Sequence, residues 1–229
     1  MKVFERRKFE GFDERDTGAI FDGYLFSRCE FDDCLVSMAT RPELRATIRN
    51  CQLIRCVAHQ NCTINSSVVE DCVVDGLHTK AGPLFLHGVV FKHVVIRGAI
   101  GRIIIAPAIA RGGGLDAAFL EANHAYYRDV DWALDLTMCN AAELELSMVP
   151  GHLVRRDPTT QILVTRDRAL ATDWRGVDMA ATAYDTAIGR MLDEGRESEV
   201  LVAPRRHKNF MMHIAVQKRL RDAGIAEPD

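Results

Sequence analysis

The chain has 229 residues, 48% of them hydrophobic, and a formal net charge of -3. That is enough apolar material for a sizeable core, and it excludes both the basic field expected of a nucleic-acid binder and a strongly acidic one. The two parts of the chain agree: residues 1–110 carry 14 basic and 13 acidic side chains, and residues 111–229 carry 15 and 19.

At the amino end, MKVFERRKFEGFDERD is charged throughout and lacks the apolar region of a secretory signal. The most apolar run, IIIAPAIA from Ile103, is too short to cross a bilayer and contains a proline. Seven cysteines, six of them between Cys29 and Cys72, are an odd number for a disulfide framework. A cytoplasmic protein with reduced thiols and no membrane contact is expected.

From Phe4 onward the apolar residues recur every five positions, a period that belongs neither to a helix nor to an alternating strand. The segments FSRCEFDDCLV from Phe26, IRNCQLIRCVA from Ile48, VEDCVVDGLHT from Val69 and FKHVVIRGAIG from Phe91 align, with a weaker copy, FERRKFEGFDE, at Phe4. The starts lie 22, 22, 21 and 22 residues apart. Within each copy a small residue precedes a larger one by two, as in Cys29/Phe31, Cys51/Leu53 and Cys72/Val74. A chain that turns two of every five side chains inward and then rounds a corner traces a four-sided coil, padded at TRPE from Thr40 and TKAGP from Thr79. Successive coils stack as strands about 4.8 Å apart around a filled interior. In this alignment Cys29, Cys51 and Cys72 share one column, and Cys34 and Cys56 the next. The cysteines lack the C-x2-C spacing of zinc sites and read as small buried hydrophobes; no metal or other cofactor is expected.

This pattern resembles that of pentapeptide-repeat proteins. The small position matches at Cys29, Cys34, Ala46, Cys51, Cys56, Cys62, Ser67 and Cys72, and the central one at Phe26, Phe31, Leu53, Ile64 and Val69. The Asp or Asn usual between them is mostly missing, and the coils run 21–22 residues with loops. The resemblance covers roughly residues 4 to 106. It implies a bacterial, mainly β protein built as a right-handed parallel β-helix of about 5–6 coils, and a binding role with no common catalytic activity.

RGGGLDAAFLEANHAYYRDVDW interrupts the repeat. Glycines 112 to 114 end the strand pattern, and Leu115 to Tyr127 reads as a helix packed outside the coils. The rhythm returns at Leu134/Leu136, Cys139/Ala141 and Leu144/Leu146 as a last coil. HLVRRDPTTQILVTRD then reads as a β-hairpin turning at Asp157–Thr160. VDMAATAYDTAIGRMLDEG and HKNFMMHIAVQKRLRDAG are amphipathic helices closed by Gly195 and Gly224, with ESEVLVAP a short strand or link between them. The expected division is coils over 1–110, an inserted helix over 111–130, the last coil and hairpin over 131–166, and an α-helical cap over 167–229. A cap is what the open end of a solenoid requires.

The eight histidines fall in no metalloprotease motif, and no nucleophile elbow or Walker A sequence appears. RGGGLD lacks the strand, lysine and helix of a phosphate cradle. With no catalytic constellation, a non-enzymatic protein-binding or scaffold protein is expected. Its candidate contacts with an anionic protein partner are two basic clusters, Arg155 and Arg156 beside His152, and Arg205, Arg206, His207 and Lys208. The second cluster precedes a helix, where cations oppose the macrodipole and gain from an anion. The resemblance to pentapeptide-repeat proteins implies one alternative, and the solenoid reading a second. A DNA-mimicking, gyrase-interacting protein needs an acidic rod, which the near-neutral coils do not supply. A polysaccharide-acting enzyme needs converging carboxylates, and Asp32 and Asp33 stand apart from Glu70 and Asp71. The first coil, around Phe4, Phe9 and Phe12, leaves its lower edge free to pair with a second copy in a homodimer.

Overall fold

The computed structural model describes residues 1–110 and 113–228. The protein is mainly β, with long parallel strands in a curled sheet and several helices. Strands Lys2–Glu5, Tyr24–Ser27, Gln52–Ala58, Val73–Thr79 and Val94–Ala106 lie side by side in that order, all parallel. Leu35–Val36, Thr63–Asn65 and Leu84–His87 extend the same 13-stranded sheet around a second side. Ile20–Asp22, Thr47–Arg49, Val68–Glu70 and Val90–Lys92 form a separate four-stranded parallel sheet.

The five-residue rhythm has a backbone cause. Arg28, Asp33, Asn50, Arg55, Asn61, Ser66 and Asp71 all have φ between 45° and 54°, the left-handed region that bends an extended chain sharply. Each stands immediately before an inward small residue: Cys29, Cys34, Cys51, Cys56, Cys62, Ser67 and Cys72. Several of these thiols then point at carbonyls of the rung below, as Cys29 Sγ donates to Phe4 O at 3.4 Å and Cys56 Sγ to Phe26 O at 3.4 Å. All seven cysteines are free, and five are buried. A larger side chain just inside the corner would strike that carbonyl, so the thiols act as small hydrophobes with a weak donor.

One part of the alignment slips. Phe26 pairs with Leu53, and Ile48 pairs with Phe21, whereas the sequence alignment set Phe26 beside Ile48. Between these two coils paired residues are 27 apart, as Asp22 and Arg49 are, against 22 for Asp75 and Arg97. The difference is the loop carrying the Pro42–Leu44 turn, and a five-residue insertion is invisible to a five-residue repeat. Cys51 does sit beneath Cys72, its N–H donating to Cys72 Sγ at 3.4 Å. Cys29 instead stacks with Cys56 and Cys34 with Cys62, through Val57 N to Cys29 O at 2.9 Å and Thr63 N to Cys34 O at 3.0 Å.

Helix α1, Ala117–Tyr127, is capped by Asp116, whose side chain accepts from Ala118 N and Phe119 N. It lies against the outside of the strands: Phe91 N donates to Tyr127 Oη at 3.2 Å, and Arg45 spans to Asn123 Oδ1 at 2.6 Å. The glycine-rich segment before it includes Arg111 and Gly112, which lie outside the described residues. After α1 the parallel stack resumes, with Leu134–Asp135 and Cys139–Leu146 beside Val94–Ala106 and Val154–Arg155 beside Leu134–Asp135.

The expected hairpin does not form. Val154–Arg155 uses its edge on the parallel stack, and Gln161–Thr165 pairs antiparallel with Ser198–Val202, Ile162 facing Leu201. Gln161 through Val164 are buried on both faces, a placement that needs a partner inside a core. Helices α2 (Arg166–Ala171), α3 (Tyr184–Asp193) and α4 (Phe210–Asp222) cover this pair. Together they enclose a core that includes Ile162, Trp174, Ile188, Met191, Val216 and Leu220. Gln217, fully buried, ties the unit together by donating to Thr160 O and Leu201 O, each at 3.0 Å. Leu163 and Val200 face the other way and join the core of the stacked strands. Among the described residues no helix is long and apolar enough to cross a membrane.

Candidate functional site

Where the carboxyl-terminal unit meets the last long rung, a cleft of about 710 Å³ opens. One wall is Cys139–Leu146, whose alternation turns Glu143 and Glu145 to the same side. The other comprises the start of α3, the strand Ser198–Val202 and the entry to α4. Each carboxylate of the cleft has an arginine: Glu143 pairs with Arg102, Glu145 with Arg190 at 3.8 Å, and Glu199 with Arg196. Glu199 is 4% exposed, and burial pushes its carboxyl up despite the charge of Arg196.

The candidate basic residues separate into two groups. Arg155 lies over the Trp132 ring, 4.0 Å from its centroid, and Arg156 reaches Glu227 at 3.6 Å. Arg205 donates to Asp157 Oδ2 at 2.8 Å. Burial opposes the charge on Asp157, but hydrogen bonds from Thr159, Arg205 and Thr160 outweigh it and hold the carboxyl down at about 2. These three arginines are therefore engaged in holding the structure. Arg206, His207 and Lys208 instead line the cleft. Among the described residues none of the three pairs with a carboxylate, Arg206 donating only to Ile100 O at 3.2 Å.

Two further groups in the cleft were not evident as site residues from sequence. His213, in the first turn of α4, is buried, stands edge-on to Tyr184 with centroids 5.2 Å apart, and lies 5.3 Å from His207. Burial and the neighbouring His207 push its pKa down. Tyr184 donates to Val202 O at 3.0 Å, and burial pushes its phenol up. The outer carboxylates considered for sugar chemistry do not converge: Asp32 pairs with Lys8 at 3.1 Å, Glu70 accepts from Tyr126 Oη at 2.9 Å, and Asp71 meets His93 at 3.2 Å.

A second cavity lies at the opposite end. The interior between the strands is not filled there but holds a space of about 360 Å³ lined from Phe4, Phe9 and Phe12 of the first coil to Leu77 and Leu84. Burial follows its opening. In the stacked series Phe4, Phe26, Leu53, Val74 and Ile96, Ile96 is buried and the other four are part-exposed. The aromatic rings stack from rung to rung, Phe4 on Phe26 and Phe9 on Phe31, each pair with centroids 5.4 Å apart.

No protein-family model, curated protein or solved structure matches the chain.

Proposed function

We propose that this chain is a non-enzymatic binding protein, in which a right-handed parallel β-helix of pentapeptide-repeat type supports a cleft that receives an acidic segment of a protein partner. The β-helix reading is supported by two parallel sheets whose strands alternate along the chain and by left-handed corners at five-residue intervals. The binding reading rests on one observation: the acids of the cleft are matched by arginines, while Arg206, His207 and Lys208 carry no carboxylate partner among the described residues. Cations left unpaired on a concave, half-apolar wall raise the local concentration of anionic groups and favour their docking.

The test is affinity capture from the native host with wild-type protein and an Arg206→Glu/Lys208→Glu variant. A partner held by the wild type should be lost from the variant, and its binding should weaken with salt. Capture of the same partner by both proteins would remove the cleft from the interface.

A further inference from the structure

We propose that the open amino-terminal end of the stacked strands is a binding site for a medium-chain fatty acid, its tail inside the 360 Å³ cavity and its carboxylate beside Lys2 at the rim. This site is at the other end of the molecule from the cleft and does not depend on it.

The lining decides what enters. It is built from Phe, Tyr, Leu, Ile, Val, Ala and Cys, with Thr63 its single side chain bearing a hydroxyl apart from Tyr24. Thr63 Oγ1 is already committed to Phe85 O at 3.0 Å. Water finds too few partners in such a space: an apolar cavity of about 150 Å³ stays dry and takes up benzene. A volume of about 360 Å³ lies in the range of small-molecule sites, roughly 300–1,000 Å³.

The shape selects a chain over a compact ring. The lining comes from four successive rungs, Phe4, Phe26, Leu53 and Leu77 each contributing from its own. Three rung spacings make a depth of about 14 Å, the reach of a medium-length acyl tail, and the stacked rings narrow it across. At the rim, Lys2 Nζ lies 5.5 Å from the centroid of the Tyr24 ring, which lines the cavity. Among the described residues Lys2 has no carboxylate partner, nor do Arg6 and Arg7, whereas Lys8 and Arg15 do; of the three it is Lys2 that lies over a ring lining the cavity. A carboxylate at the end of the tail meets that charge.

A second copy is the competing occupant, since among the described residues Lys2–Glu5 pairs with Tyr24–Ser27 and Lys8–Glu10 with Glu30–Asp32, each along one edge. A two-fold interface, however, brings the same open end to face its own image. The two cavities would join rather than fill, and their linings would still lack contact atoms. An inserted tail supplies those atoms.

Isothermal titration calorimetry with decanoate, methyl decanoate and acetate tests the proposal. Decanoate should bind one per chain, acetate should not, and methyl decanoate should bind about tenfold more weakly than the acid. Ala58→Phe, which fills the buried depth, should lower decanoate affinity at least tenfold, and Lys2→Ala should shrink the gap between acid and ester. Should Ala58→Phe fail to fold, Cys62 provides a readout in the wild type. It lines the cavity and is part-exposed, so saturating decanoate should slow its alkylation several-fold while leaving Cys139 unchanged. Absence of decanoate binding below its micelle concentration, equal binding of acid and ester, or unprotected Cys62 at saturation would each overturn the assignment. So would a dimer by light scattering that takes up no decanoate.

Discussion

Gly88→Ala probes the packing of the parallel strands through one contact. Gly88 has φ +66°, and a Cβ there would lie 2.7 Å from Ala108 Cβ and 3.3 Å from Ala108 Cα and N. Two costs add. The left-handed backbone costs an alanine about 1–2 kcal/mol. Overlap with Ala108, itself buried, costs about 1–3 kcal/mol more, the range for overfilling a packed core. The sum, about 2–5 kcal/mol, is a large fraction of a domain's net stability. Ala108→Gly alone should cost about 1 kcal/mol or less. In the double variant it removes the 2.7 Å contact and leaves the backbone cost in place. Urea unfolding of the four proteins, with a common slope, should therefore give a favourable coupling of about 1–3 kcal/mol. Additivity to within about 0.5 kcal/mol would refute the contact, and a Gly88→Ala midpoint equal to wild type would refute the backbone assignment as well.

Three other outcomes are expected. With Cys29, Cys34, Cys51, Cys56 and Cys72 buried and Cys62 and Cys139 part-exposed, a thiol reagent at pH 8 should modify at most two of the seven quickly without denaturant. Burial, which pushes Cys139 up to about 12, should make even that one slow; rapid modification of five would contradict the packing. The Glu199 carboxyl is pushed up by burial, so its contribution is fully present below the unfolded carboxylate value and lost as pH rises through the folded one. Glu199→Gln should accordingly melt above wild type at pH 7, with the gap closing toward pH 4, and a variant that melts lower at pH 7 would mean that the Arg196 pairing outweighs burial. Tyr127→Phe removes the acceptor for Phe91 N and should cost about 1–3 kcal/mol in urea unfolding, the penalty of a buried donor left unpaired; an unchanged midpoint would show that α1 does not hold that amide.

The repeat was legible because its cause is local. A left-handed corner forces a small residue directly after it, and Arg28–Cys29 through Asp71–Cys72 record that at five-residue intervals. The slip at the Pro42–Leu44 turn was not legible, because an insertion of one period leaves the pattern intact. The hairpin failed for a different reason: Gln161–Thr165 and Val154–Arg155 have the local form of one, but the partner strand, Ser198–Val202, lies beyond α3. Helix α2 did carry a signal, with Thr165 accepting from Arg168 N and Asp167 in the first turn. Of the basic clusters, adjacency in sequence put Arg155 with Arg156, and Arg205 with Arg206, His207 and Lys208. Distant groups, Trp132, Glu227 and Asp157, decide which of them are free. The far wall was half visible in Glu143-Leu144-Glu145-Leu146, whose alternation places both carboxylates together.

Within the stacked parallel strands some charges pair as the register brings them together, Arg49 with Asp22 at 3.0 Å and Arg97 with Asp75 at 2.9 Å, while Arg55, Lys80 and Lys92 have no carboxylate partner among the described residues. Each such exposed pair adds little stability, but each leaves less charge to attract a ligand. Lys2 stands over Tyr24 at one end, and Arg206 and Lys208 stand in the cleft at the other, neither set matched by a carboxylate among the described residues. The interior between the strands is closed around Ile96 and Ile100 and open around Phe4 and Phe9. The two cavities differ in what lines them, a polar cleft between Cys139–Leu146 and the helices and an apolar space among the first strands, and so in the ligand each would take.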